Sequence, residues 1–263
     1  MPAPTALHPG SAPVLAAERP PVLLLHGLGA DHRATFEATG WIRALHKAGR
    51  TVIAPDLPGH GGGPGPAPRD PERYRIPLLV ADLLATLPPL SDPGGGRVDV
   101  IGYSLGARLA WELAVRHPAR VRTAVLAGFG PRAQDGAEEV LRELVRLSAR
   151  SAALGAPPAH DVEALNACVR GTAADPFRAE PAPDCPVLLA AGTEDGLADG
   201  VEELAEGLAS ARLLRIPGRD HRNAVSANTL KKSALAFLDE ADRREAGSGP
   251  AGASGTAGTI RDR

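Results

Sequence analysis

The segment Gly102-Tyr103-Ser104-Leu105-Gly106 sets a serine between two glycines, where an apolar run ending at Gly102 gives way to a helical pattern. A serine on a tight strand-to-helix turn projects its hydroxyl from the end of a sheet. The helix N-terminus behind it offers positive partial charge to an oxyanion forming there. The chemistry such a residue could do is nucleophilic attack on an acyl carbon. Alone the motif is weak in a chain with 30 glycines, and the same pattern suits a serine capping an ordinary helix. A hydroxyl also needs a base beside it. Three histidines follow Ser104: His117, His160 and His221. His117 lies in a helix-ending His-Pro turn and His160 in an interval without strand signals. His221 follows the last apolar run and precedes the last helical pattern, so it is the favoured base. The acid that orients it should follow the preceding strand, where Gly192-Thr193-Glu194-Asp195-Gly196 offers Asp195, with Glu194 and Asp199 as rivals. The strand before that runs into Ala127-Gly128-Phe129-Gly130, which carries no acid.

Transition-state charge needs donors as well. The N–H of Leu105, next after the serine, is one candidate. The N–H of Leu28, in the loop His26-Gly27-Leu28-Gly29 that follows the first apolar run, is the other. His26, Gly27, Tyr103 and Phe129 are the candidates for lining a substrate pocket. For His26, shaping its own loop through hydrogen bonds is the favoured role.

The elements that must position these residues are legible as alternating runs. Apolar runs at 21–25, 51–55, 98–102, 121–127, 186–191 and 211–216 suit strands buried on both faces. Helical patterns at about 35–47, 76–87, 104–116, 200–209 and 224–239 lie between them, which predicts an α/β fold with a mostly parallel sheet flanked by helices. From 131 to 183 there is no strand signal, only helical patterns at 137–151 and 161–169. In the first, Val140, Leu141, Leu144, Val145 and Leu147 form an apolar stripe. The expected organisation is a core of 12–130 and 184–240, a small helical lid at 131–183, and a disordered Gly/Ala/Ser-rich tail at 243–263.

The chain of 263 residues is long enough for one large α/β domain, and its composition, 43% hydrophobic and 23% charged, is that of a globular protein. A net charge of -2 favours neither nucleic acid nor an anionic membrane as partner. Cys168 and Cys185 are too few for a disulfide scaffold and form no CxxC pair, so both are expected reduced. The first twenty residues lack a basic start followed by an apolar core, and no apolar run approaches the ~18 residues of a membrane helix. A cytoplasmic location is the default expectation. Oligomeric state is open.

Together, LLLHGLG (23–29), VIAPDLPGHG (52–61), VIGYSLG (100–106), AGTEDG (191–196) and PGRDH (217–221) resemble the α/β-hydrolase superfamily from about Pro21 to Leu238. One departure is Gly61-Gly62-Gly63-Pro64, where relatives usually carry a serine shortly after the PGHG motif. The resemblance implies a Ser–His–Asp reaction through an acyl-enzyme, with no metal and no cofactor, on a small-molecule substrate that it does not specify. Serine instead of aspartate at 104 disfavours a dehalogenase or an epoxide hydrolase. The first expectation is an esterase acting on a small carboxylic ester, lactone or thioester. Arg108 resembles a pattern in the menaquinone-pathway member of the superfamily, which makes a lyase acting on an acidic intermediate the second. A non-catalytic ligand receptor is the third. Arg132, Arg142, Arg146 and Arg150 of the lid could read an acidic substrate, although Glu138 and Glu143 beside them favour a solvated face. An aromatic content of 3% disfavours an aromatic-lined cage.

Overall fold

Alternate residues of the first strand enter two different cores. Leu23 and Leu25 pack on one side of the sheet, Val22 and Leu24 on the other, and all four are fully buried. That is the burial expected of a central parallel strand covered by helices on both faces. In the computed structural model, which describes residues 19–61, 67–92, 95–132, 137–153 and 161–247, six strands form one sheet in the order β2-β1-β3-β4-β5-β6. They are β1 (Val22–Leu25), β2 (Val52–Ile53), β3 (Val98–Tyr103), β4 (Val121–Ala127), β5 (Val187–Gly192) and β6 (Ala211–Ile216), and every pairing is parallel. Helices α2 (Ile76–Thr86), α3 (Leu105–Arg116) and α6 (Val201–Glu206) cover the Leu23 face. Helices α1 (Trp41–Lys47) and α7 (Asn228–Gly247) cover the Val22 face. This is the α/β-type architecture expected from the alternating runs.

The helical interval between β4 and β5 holds α4 (Ala137–Ala153) and α5 (Val162–Ala173) and, among its described residues, no strand. Asp161 caps α5 through bonds to the N–H groups of Glu163 and Ala164. Gly171 lets α5 lie against the turn at Pro71–Tyr74, since a Cβ there would sit 2.2 Å from the Pro71 carbonyl oxygen.

Three boundaries differ from expectation. The pattern at 35–47 is broken by Gly40, whose φ of 83° only glycine adopts readily, so a separate turn at Arg33–Glu37 precedes α1. The strand expected at 51–55 stops at Ile53, before Pro55, which has no N–H to give a ladder. The last helix runs to Gly247, past the expected start of the tail at 243, because Arg244 pairs with Glu240 and Glu245 pairs with Arg97 and Arg122. The remainder of the tail, 248–263, lies outside the described residues, as do 12–18 of the expected core.

Buried charges tie α7 to the sheet. Asp99 on β3 accepts from Arg122 Nε at 2.8 Å, from the Thr123 hydroxyl at 2.8 Å and from Arg50 at 3.4 Å. Arg50 reaches Asp239 and Asp242, each at 2.8 Å. Removing one partner from such a group strands the others, which is far more damaging than replacing the whole set. Asp99→Ala is therefore expected to lower stability by about 3 kcal/mol, read as a lower urea midpoint with an unchanged slope. A shift below about 1 kcal/mol would show that the remaining carboxylates compensate Arg122 and Arg50 fully.

Candidate active site

Ser104 has φ 56° and ψ −118°, and it is the one non-glycine residue at positive φ among the described residues. A side chain is rarely held there without surrounding structure that imposes it. Here the imposing structure is the close crossing of β3, α3 and β1. A Cβ on Gly102 would lie 2.3 Å from the Gly106 carbonyl oxygen, and one on Gly106 would lie 2.0 Å from that of Leu25. Both glycines of the motif are thus required by backbone contact, which an ordinary serine-capped helix would not need.

His221 stands in the loop after β6, with Nε2 3.0 Å from Ser104 Oγ and Nδ1 3.0 and 3.1 Å from the two carboxylate oxygens of Asp195. Asp195 follows β5, and its side chain is fully buried. It also accepts from the N–H of Leu197 at 3.1 Å, which fixes its rotamer. The rivals Glu194 and Asp199 are exposed. His117 closes α3, away from this cluster, and His160 lies outside the described residues.

The two loops that carry Asp195 and His221 are stitched together. Gly218 N–H donates to the Thr193 hydroxyl at 2.9 Å, Glu194 N–H donates to the Arg219 carbonyl at 3.0 Å, and Gly192 leaves no room for a Cβ against that same carbonyl. Asp220 accepts from the N–H groups of Arg222 and Asn223, both at 2.9 Å, while Asn223 Oδ1 accepts from Asp220 N–H at 3.1 Å. This reciprocal turn holds His221 in place. Tyr103 adds to it: its hydroxyl donates to the His221 carbonyl and its ring lies 5.4 Å from the imidazole. Burial pushes the Tyr103 phenol well above its ordinary range, so it stays a donor. Tyr103, expected to line the pocket, thus packs on His221 with both its hydroxyl and its ring. The Asp220–Asn223 turn has a sequence signal in an Asp three residues before an Asn.

Gly27 lies against the serine: a Cβ there would be 3.1 Å from Ser104 Cβ. Leu28 follows it, partly buried, and Leu105 opens α3, so its N–H belongs to the first turn, which has no helical carbonyl to meet. His26 is fully buried. Its Nδ1–H donates to the Gly27 carbonyl at 2.9 Å and its Nε2 accepts from Leu57 N–H at 3.0 Å. Burial lowers its pKa, which keeps it neutral in this role. With both nitrogens on backbone, His26 offers none to a substrate. Phe129 is buried in the core, its ring edge-on to Phe177 at a centroid distance of 5.1 Å.

Arg108 is not a surface helix residue. It is 4% exposed, bonds Glu112 through Nε and Nη2 at 3.1 and 2.7 Å, and donates to the Asp175 carbonyl at 3.1 Å. Its guanidinium lies over the Phe177 ring, and Nη1 has no hydrogen-bond partner. On α4, Arg142 pairs with Glu139 at 2.7 Å and Arg146 with Glu143 at 3.7 Å, all on exposed side chains, which is a solvated face. The side chain of Arg150 lies outside the described residues. Among the described residues no group of three His, Cys, Asp or Glu side chains could hold a metal ion, and no helix is long and apolar enough to cross a membrane.

A sequence model described as alpha/beta hydrolase fold matches residues 20–141. The pimeloyl-[acyl-carrier protein] methyl ester esterase of Aromatoleum aromaticum is 39% identical over 113 residues, 43% of this chain and 38% of that protein. The 2-hydroxymuconate semialdehyde hydrolase of Pseudomonas putida is 37% identical over 108 residues, 41% of this chain and 36% of that protein. The chain thus spans well under half the length of these curated relatives. Among solved structures, NosK from Streptomyces actuosus superposes with a TM-score of 0.65 at 25% identity, over 86% of this chain and 99% of that one.

Proposed function

We propose that this chain, similar over residues 20–141 to the alpha/beta hydrolase fold family, is a serine hydrolase that cleaves a small-molecule carboxylic ester, lactone or thioester through an acyl-enzyme on Ser104. The observation that carries this reading is the unbroken line from Asp195 through His221 to Ser104 Oγ, every link at 3.0–3.1 Å. In that line Asp195 holds the Nδ1–H tautomer, so Nε2 faces the hydroxyl as an acceptor. His221 Nε2 takes the Ser104 proton as Oγ attacks the acyl carbon. The oxyanion turns toward the N–H groups of Leu28 and Leu105. The imidazolium then protonates the leaving alkoxide, and a water activated by the same nitrogen releases the acid. No step calls for a metal or a cofactor.

The match to a methyl ester esterase supports an ester as the bond cleaved. The residues 131–183 are proposed as the lid over the site. Leu144 of α4 supports this, since its Cδ1 fills the space a Cβ on Gly29 would need. Two further readings are weaker. A lyase acting on an acidic intermediate would want Arg108 free for a carboxylate, and Glu112 already neutralises it. A receptor would not require a connected triad.

The test is turnover of p-nitrophenyl esters from acetate to decanoate. An optimum within the series, with no preference for carboxylate-bearing esters, is the expected result. Strict preference for a carboxylate-bearing substrate would favour the lyase. Binding without turnover, and without labelling by a fluorophosphonate, would favour the receptor.

A further inference from the structure

Asp56 stands in the loop after β2, in a stretch to which the proposed mechanism gives no role. Its Oδ1 accepts two bonds from one residue of the loop after β1: the backbone N–H of His32 at 2.8 Å and His32 Nδ1–H at 2.8 Å. The pair holds the Asp56 carboxyl below the usual carboxylate range and so in its accepting form. The next residue, Leu57, donates its N–H to His26 Nε2 at 3.0 Å. The segment Asp56–Leu57 therefore grips the His26–His32 loop at both ends, and the loop between the grips contains Gly27 against Ser104 and the Leu28 N–H. Inside the loop, Ala30 N–H bonds the Gly27 carbonyl at 3.3 Å, and Leu144 covers Gly29 from outside. The carboxylate itself is seated by Gly61, at φ 62°, where a Cβ would fall 2.2 Å from Asp56 Oδ2.

Resting on the serine-hydrolase reading, we infer that Asp56 is a positioning residue for the oxyanion donor, acting through His32. The Leu28 N–H stabilises a transition state only if it is held where the oxyanion forms, and a loop is the least rigid place to hold it. The His26 grip fixes the near end of the loop. The Asp56–His32 grip fixes the far end, and both are bonds between protein groups. Loss of the second grip should therefore act on the transition state and leave ground-state binding alone.

The experiment compares wild type with Asp56→Ala, Asp56→Asn, His32→Ala and the double variant Asp56→Ala/His32→Ala. It measures ester kinetics, affinity for a trifluoromethyl ketone, and the rate of Ser104 labelling by a fluorophosphonate. Asp56→Ala is expected to lower kcat about 10–100-fold with KM within about twofold, and to weaken the ketone in the same proportion. Asp56→Asn, which keeps one oxygen acceptor, should recover part of the loss. His32→Ala should lose less than Asp56→Ala because its backbone N–H remains, and it should add nothing in the double variant. Unchanged kcat in Asp56→Ala, or a loss confined to KM, overturns the inference and leaves the hydrolase reading intact. If Asp56→Ala melts below the assay temperature, Asp56→Asn and His32→Ala make the same comparison, and full activity in both overturns it. If wild type labels but turns over no ester, the labelling rate replaces kcat. If wild type neither turns over nor labels, the hydrolase reading falls and the role of Asp56 falls with it.

Discussion

Ser104→Ala is expected to lower kcat by about 10⁵–10⁶-fold. The substitution removes one oxygen and nothing that supports the fold. Residue 104 keeps a Cβ, and its φ of 56° is imposed by contacts of Gly102 and Gly106 that do not involve the hydroxyl. The melting temperature should therefore stay within a degree or two of wild type, and the loss should be one of chemistry. A residual rate above that of water should survive, because the proposed donors, the N–H groups of Leu28 and Leu105, remain and His221 can still direct a water. KM should change little, since the hydroxyl makes no contact that substrate and transition state share equally. The measurement is steady-state turnover of the best ester of the series, with rigorous exclusion of contaminating esterase. A variant within tenfold of wild type would mean that another group attacks the substrate and that the acyl-enzyme on Ser104 is wrong.

The strands and the serine turn were legible because they are local. A run such as Pro186–Ala191 declares a doubly buried strand by its own composition, and Gly-x-Ser-x-Gly declares a tight turn within five residues. Chain order then singled out His221 and Asp195, but order alone left Glu194 and Asp199 in contention. The structure separates them by burial, since Asp195 turns inward and the other two face solvent. What was illegible is what depends on pairing between distant segments. The bond from Trp41 Nε1 to the Val225 carbonyl spans 184 residues, and the ion pair of Arg50 with Asp242 spans 192. No window of sequence holds both partners. The same applies to Asp56 and His32, 24 residues apart on adjacent strands' loops. The aspartate of the Asp-Leu-Pro-Gly-His-Gly stretch was visible, but its partner was not. Helix ends failed for another reason. Gly40 interrupts a pattern whose apolar spacing continues through it, and the extension of α7 to Gly247 depends on Arg97 and Arg122 waiting at the sheet for Glu245.

Asp195→Asn is expected to lower kcat about 10⁴-fold without unfolding the protein. The cap fixes the orientation of the new amide. Leu197 N–H needs an acceptor at the Oδ1 position, so the amide oxygen of the asparagine is pinned there, 3.0 Å from His221 Nδ1, and its NH₂ group falls at the Oδ2 position, 3.1 Å from the same nitrogen. The oxygen accepts from Nδ1–H but the NH₂ group asks Nδ1 to accept, so the Nδ1–H tautomer loses the hold that two carboxylate oxygens gave it. In molecules with the proton on Nε2, that proton sits 3.0 Å from Ser104 Oγ, where the reaction needs a lone pair. The variant also loses the negative charge that stabilises the imidazolium in a buried site. Both effects act on the base while leaving Ser104 and the donors in place, so the thermal midpoint should hardly move and slow fluorophosphonate labelling should persist. Raising the pH should recover little, because the defect is a tautomer and not a protonation state. Glu194→Gln and Asp199→Asn are the controls: both side chains are exposed, and each variant should keep at least half of wild-type turnover. If Asp195→Asn stays within tenfold of wild type while Glu194→Gln collapses, the acid is Glu194, and the loop after β5 must rearrange when substrate binds.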